Sequence, residues 1–451
     1  MTTVRVVSAS LVFADDEWRA DQAIVLEGDS IVAVGAIDDI AAAYPSETIE
    51  HWDDRAIVPG GVNGHGHTFQ GLVRGFGDDL KFGDWMGGLV HPTAAGLDRA
   101  ALVTGAAFDY LEMLRMGITT AVEFFYLHDE GNDNSRAILE TAEAAGIRAI
   151  LARCMFDANP GPKRYQESLD TYEKNFRELT AETADSDLLS IHPAPHSVLG
   201  TSAEMLELGS SLAHEFDVPL HIHVADSQSE VDVSNARYGL SPVGRLLDVG
   251  VLNEYTLAVH TVRVDEADLQ QLAASGATVV HNPSTNAFLG GGISPLVRMR
   301  ELGIPVCLGT DAAGANSRQS LFEEMRMAAL LAKATARDGS IIGAEDVLRL
   351  GTSAGGVALR MPVGRISAGY KADLVAIDLT KVSLQPRRTV TQNIIYSMQP
   401  EAISRVVVGG RTVVELGEVL TIDADKVTAD VNQLTRNWTP LTGTHPVPTS
   451  R

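Results

Sequence analysis

The chain has 451 residues, 45% hydrophobic and 21% charged, the balance of an ordinary globular protein with a full-sized core. Its formal net charge of -24 argues against nucleic acid or an anionic membrane surface as a partner. No run of about 18 apolar residues is present, and the opening MTTVRVVSASLVF has no basic segment leading into an apolar stretch. Neither a transmembrane helix nor a signal peptide is expected, and the cytoplasm is the default location.

In chain order, residues 1–58 read as short strands: VRVVSASLVF, then AIVLE and SIVAVGA joined across Gly28-Asp29. From Pro59 to about residue 361, eight β-branched runs alternate with amphipathic helical stretches. The runs are IVPGGVNGHGH, TTAVEFF, RAILARC, LLSIHPAPH, PLHIHVAD, TLAVHT, ATVVHN and PVCLGTD. Helical patterns such as SRAILETAEAAG, SAEMLELGSSLAHEF and EADLQQLAASG lie between them, each closing near a glycine. Eight βα units predict an α/β fold of the (β/α)8 TIM-barrel class rather than an open doubly wound sheet. No G-x-G-x-x-G follows the first strand, so a dinucleotide site has no support.

Strand, tight turn, strand returns near the C-terminus in ADLVAIDL and RVVVGGRTVVELGEVL. Residues 1–58 and 362–436 are therefore expected to meet in one small β-sandwich domain flanking a barrel at 59–361. Residues 437–451, NWTPLTGTHPVPTSR, read as an extended tail. Cys154 and Cys307 lie far apart in apolar surroundings and suggest neither a disulfide nor a cysteine metal site.

In a barrel the active site lies at the C-terminal ends of the strands. The first run ends in His65-Gly66-His67, and a strand continuing through them would turn both imidazoles to one face. His223 ends the fifth run, His260 the sixth, His281 the seventh and Asp311 the eighth. One such histidine alone reads as a hydrogen-bonded structural imidazole. Together they point to a metal site, because buried ionisable groups are costly unless paired or bound to a cation. A cation lowers the pKa of its water toward about 7, and a neighbouring carboxylate takes the released proton.

The stretches PGGVNGHGHTFQGLVRG, GITTAVEF, LHIHVADSQSEVD, AVHTVRV, VVHNPSTNAFLGGGISPL, VCLGTDAAGANSRQSLFEEMRMAALL and GRISAGYKADLVAIDL span nearly the whole chain. Together they resemble the amidohydrolase superfamily, in its group of aminohydrolases and triazine hydrolases. FGDWM and STNAFLGGG lean toward the branch with atrazine chlorohydrolase and melamine deaminase. The S-adenosylhomocysteine and methylthioadenosine deaminases are similar in the same motifs.

The resemblance implies that His65, His67, His223 and Asp311 hold one divalent metal, zinc first, with iron, manganese or cobalt compatible. It implies that Asp311 takes the proton of the attacking water and His260 stabilises the developing oxyanion. The implied activity is release of ammonia or an amine from a small nitrogen heterocycle, by a homodimer or larger assembly. Hydrolytic dechlorination, or cleavage of an amide, urea or carbamate, is the alternative on the same site. A non-catalytic barrel would have lost these ligands.

One position departs from the group's pattern. Its fifth-strand motif usually reads H-x-x-E, with the glutamate moving a proton to the substrate; here the residue is Asp226. Aspartate reaches about 1.5 Å less far, a large fraction of a hydrogen-bond length. Glu230, in the following loop, is the second candidate for that proton. Gln70, Trp85, His196 and His281 are candidate substrate contacts, with Glu123 beside the mouth of the pocket. Trp85 reads equally as a core anchor. His221 reads as a packing residue, and Asn286 as fixing the glycine-rich loop.

Overall fold

The computed structural model describes residues 4–129, 131–158 and 162–441. Its strands, in chain order, are β1 (Val4–Ala14), β2 (Glu17–Glu27), β3 (Ser30–Ala36), β4 (Ile49–Pro59), β5 (Gly61–Asn63), β6 (Ile118–Phe125), β7 (Arg148–Met155), β8 (Leu189–Pro195), β9 (Leu220–Val224), β10 (Thr256–His260), β11 (Thr278–His281), β12 (Val306–Leu308), β13 (Leu374–Asp378), β14 (Ile403–Val408), β15 (Arg411–Glu415) and β16 (Glu418–Val419).

β5 to β8 form one four-stranded parallel sheet and β9 to β12 a second, a TIM-barrel-like α/β arrangement. β6, β7 and β9 are buried at every position, the pattern of parallel strands covered on both faces. Gly64 N donates to Leu308 O at 2.9 Å, and His223 N to His196 O at 3.2 Å, so the outer strands of the two sheets are linked at the ends that carry the histidines. Helices flank these strands, and several start on side-chain caps. Asp98 accepts from Ala101 N, Ser202 from Met205 N and Ser227 from Glu230 N. Two of the three helices expected to stop at a glycine do so, on Gly146 and Gly276. The third ends on Asp217, which takes the left-handed conformation itself (φ 53°).

The two chain ends join in one eight-stranded sheet, ordered β16-β15-β14-β13-β4-β1-β2-β3. β2 and β3 turn at Gly28-Asp29, and β4 is held between β1 (parallel) and β13 (antiparallel). Fully buried Arg148, on β7, donates to both carboxylate oxygens of Asp373 at 3.2 Å and so fastens this sheet to the parallel strands. Of the expected tail, residues 437–441 run back across the molecule. The Trp438 ring packs 5.9 Å from Phe76, and Leu441 N donates to Phe76 O at 2.7 Å. Residues 442–451 lie outside the described residues. No helix among the described residues is long and apolar enough to cross a membrane.

Candidate active site

His65 and His67 do not lie within a strand, as a period-two reading requires. β5 stops at Asn63, and the histidines follow in an irregular segment held by its neighbours. Gly66 O accepts from Phe124 N at 2.8 Å, and His65 O from Asp311 N at 3.0 Å. The segment still brings the two rings together, with centroids 4.7 Å apart and planes at 88°. Convergence here comes from backbone pairing to β6 and to the end of β12, rather than from strand alternation.

His223 and His260 end their strands close by, with centroids 4.9 and 5.7 Å from that of His65. Asp311 faces the same point: Oδ1 lies 3.6 Å from His65 Nε2 and 3.7 Å from His67 Nε2, and Oδ2 lies 3.9 Å from His260 Nε2. The backbone at these ends is strained. Ala225, His260, Thr261 and Asp311 have φ of 52°, 73°, 50° and 59°, which non-glycine residues adopt infrequently. At Gly309 no side chain fits, since a Cβ would lie 2.4 Å from Asn282 Oδ1 and 3.0 Å from His65 N.

Hydrogen bonds set the ring nitrogens. His67 Nδ1 donates to Phe124 O at 2.7 Å and His223 Nδ1 to His196 O at 2.8 Å, which leaves each Nε2 with a free lone pair. His65 is fully buried, yet neither of its ring nitrogens has a hydrogen-bond partner. Burial, and then the neighbouring imidazoles, hold His65 and His223 well below the usual histidine range, so both present neutral nitrogen donors. His65, His67 and His223 place ligand atoms within 4.8 Å of one another, and so do His65, His260 and Asp311. A neutral, preoriented imidazole set with one carboxylate fits a borderline cation that prefers nitrogen and oxygen ligands.

The cluster opens into a cavity of about 1060 Å³. Of the candidate contacts, Gln70, Trp85, His196, Asp226 and Glu230 line it; His281 does not. His281 ends β11 buried, and the neighbouring Asn282 sends its side chain toward His260 instead. Glu123 is not at the mouth either. It is buried beneath the histidine segment, where Oε2 accepts from Thr68 N at 2.8 Å, and burial pushes its carboxyl up to about 8. Trp85 is both wall and anchor: its indole N–H donates to Gly314 O at 3.1 Å. Gln70 Nε2 donates to Tyr126 OH at 2.6 Å, leaving Oε1 buried and unpaired at the cavity. His221 pairs with His192 across 2.9 Å, away from the cavity.

Asp226 and Glu230 meet at the N-terminus of the helix Gln228–Tyr238. Asp226 N donates to Glu230 Oε2 at 3.1 Å. Burial first, and then the Asp226 carboxylate, hold Glu230 well above the usual carboxyl range.

Two sets of residues were not legible in the sequence as site residues. Asn286 Oδ1 and Asn282 Nδ2 lie 3.0 and 3.1 Å from His260 Nδ1, which donates to the first when it is protonated and accepts from the second when it is not. Asn286 also ties down the glycine-rich loop, its carbonyl accepting from Gly292 N at 3.1 Å. Tyr126, Phe156 and Tyr165 form an aromatic wall beside His196, with Tyr126 and Tyr165 centroids 4.6 Å apart. The N-P-S-T-N spacing put Asn282 and Asn286 one helical turn apart, which was the available signal for the first pair. Nothing local marked the aromatic wall.

The amidohydrolase family profile matches residues 56–413. The 5-methylthioadenosine/S-adenosylhomocysteine deaminase of Pyrococcus abyssi is 32% identical over 409 residues, covering 91% of this chain and 92% of that protein. A zinc-bound adenosine deaminase from Xanthomonas campestris superposes with a TM-score of 0.88 at 28% identity, covering 96% of this chain and 97% of the other. The atrazine chlorohydrolase of Arthrobacter aurescens, complexed with zinc, has a TM-score of 0.89 over 95% and 99% of the two chains. At 22% identity that is a likeness of fold. The chain belongs to the amidohydrolase family and is, with it, a hydrolase of carbon–nitrogen bonds.

Proposed function

We propose that this chain releases ammonia from an aminated nitrogen heterocycle, with His65, His67, His223 and Asp311 holding one divalent cation, zinc first. The observation that carries the reading is His65, buried with two unpartnered ring nitrogens at the centre of converging neutral donors. A buried nitrogen without a partner costs about 1–3 kcal/mol, a cost that cation binding offsets. Bound there, the cation supplies the acidification of water that hydrolysis needs at neutral pH.

The chain's own groups divide the remaining work. Asp311 accepts the proton of the attacking water. His260, oriented by Asn282 and Asn286, donates a hydrogen bond to the attacking oxygen as the ring carbon becomes tetrahedral. The Asp226–Glu230 pair keeps a proton at the cavity wall and supplies it to the departing nitrogen, which favours an amine as leaving group over chloride. Glu230 thereby offsets the shorter reach of Asp226. Gln70, Trp85 and His196 hold the ring, and the names of the relatives put 6-aminopurine compounds first among substrates. We also take the two parallel sheets to close into one barrel at 59–361, and the ends, 1–58 and 362–436, to act as one β-sandwich domain.

The test is elemental analysis of the purified protein, followed by ammonia release from a panel of aminopurines, aminopterins, aminopyrimidines and aminotriazines. About one equivalent of metal with ammonia from any member is expected. Metal without ammonia moves the reaction to chloride, amide, urea or carbamate substrates; no metal after reconstitution overturns the site.

A further inference from the structure

The cavity is much larger than a bare heterocycle needs, and its lining continues to a second recess of about 520 Å³. Gln228 and Arg263 line both spaces and so divide them. Arg263 stands three residues beyond His260. It is held there by its backbone N–H, which donates to Ala225 O at 2.8 Å, on the strained turn at Thr261. Its side chain is exposed, and among the described residues it makes no hydrogen bond and no ion pair. In a chain of net charge -24 that is a pointed omission, because Asp226, Asp265 and Asp268 line the same two spaces. The two acids of the recess are already engaged. Asp265 Oδ1 accepts from Asp268 N at 2.9 Å, and the Asp268 carboxylate accepts from Asp265 N and Ser241 Oγ. Gly292, at φ 127°, passes the guanidinium with no side chain; a Cβ there would sit 3.5 Å from Cζ.

We propose that Arg263 is a specificity residue that reads an anionic substituent, a carboxylate or a phosphate, carried by the heterocycle on the side away from the leaving amine. This rests on the deaminase reading above and names the class of substrate. The heterocycle lies over the histidine cluster and its substituent runs along the Asp226–Gln228 wall to the guanidinium. A planar guanidinium offers two parallel N–H donors to either anion, and charge-assisted bonds of that kind are about twice as strong as neutral ones. The acidic surface raises the cost of any anion elsewhere at the mouth, so the preference is local to Arg263.

The experiment compares neutral and anionic partners on one ring: adenosine with adenosine 5′-monophosphate, and 9-methyladenine with 9-(carboxymethyl)adenine. Both kcat/KM and calorimetric Kd are measured on the metal-loaded enzyme. At least about a tenfold preference for one anionic member over its neutral partner is expected, weakening with added salt. Whichever pair shows it identifies the anion. Arg263→Ala should reduce that ratio by about the same factor, mainly through KM, and Arg263→Lys should keep part of it. A ratio that Arg263→Ala leaves unchanged, or neutral members that bind as tightly as anionic ones, overturns the proposal. Ammonia from none of the four overturns the deaminase reading instead, and the Kd ratios then still decide the role of Arg263. Binding of none overturns both.

Discussion

Two buried polar regions sit within one strand's length of each other and are built on opposite terms. On β7, Arg153 donates to both oxygens of Glu167, to Asn132 Oδ1 and to Gly131 O, and Glu167 accepts in addition from Asn175 Nδ2 at 2.8 Å. Arg148, at the other end of the strand, spends its donors on Asp373 and on Asp187 O. In the histidine cluster the same kind of interior holds a His65 ring with no hydrogen bond to either nitrogen, and strained backbone at Ala225, His260 and Asp311. A saturated polar group fastens the fold; an unsaturated one, held in place by strain, is kept for something that arrives from outside. The contrast makes mutational predictions that differ in kind.

The largest effect belongs to the cluster. His65→Ala or Asp311→Asn should abolish stoichiometric metal binding and lower kcat/KM by at least about a thousandfold, with the circular dichroism spectrum retained. Metal content and ammonia release measured on the same preparation check this, and full activity with normal metal would end the assignment. Arg153→Met should do the reverse. It leaves Glu167 buried without its charge partner and costs about 3–5 kcal/mol of stability, while kcat of the folded fraction at reduced temperature stays near the parent value. Denaturant unfolding reads the first and steady-state kinetics the second. Replacing Glu167 by Met as well should recover most of the loss, because the uncompensated charge goes with it.

The contrast also explains what could be read in advance. Strands and hairpins were legible because apolar runs and the Gly28-Asp29 turn are local signals. The order of histidines at successive run ends was legible because parallel strands put their C-terminal ends on one side. The geometry inside the site was not. His65 and His67 converge through bonds to Phe124 and Asp311, 57 and 246 positions away by subtraction of residue numbers, and no periodicity encodes them. Glu123 looked like a mouth residue because it is charged and near a strand end, yet β6 turns it under the histidine segment to cap Thr68 N. His281 shares the run-end pattern of His223 and His260, but Asn282 takes the place facing the site. Whether a run-end side chain enters the cavity depends on a one-residue register that only the packed structure sets.

Between these extremes lies the partly saturated His260, with two asparagines on one nitrogen. Asn286→Ala should lower kcat about tenfold, the range seen when the partner of a site histidine is removed. Metal content should not change, since the substitution touches none of the four ligands. A drop in metal would mean that the loop, rather than the ring, depends on Asn286.

A further contrast is in stability against pH, where buried groups of the two signs act in different windows. His221 and His281 are pushed by burial down to about 3, against an unfolded value near 6.5. Their folded pKa is depressed, so the unfolded chain binds protons first, and their contribution, complete above about pH 6.5, is lost as pH falls toward 3. Glu123 and Glu324 are pushed by burial up to about 8, from an unfolded value near 4.3. Their contribution is complete below about pH 4.3 and is lost as pH rises to 8. Between about 4.3 and 6.5 the two pairs oppose each other, and from 6.5 to 8 only the acids act, each costing about 1.4 kcal/mol per pH unit. Glu123→Gln keeps an acceptor for Thr68 N without the titration, so it should remove one acid's share of the slope across the whole window from about 4.3 to 8 and leave the histidine contribution unchanged. Urea unfolding of the metal-loaded protein from pH 4 to 8.5 measures both limbs. An alkaline slope identical in Glu123→Gln and the parent would show that this buried carboxyl is already ionised in the fold.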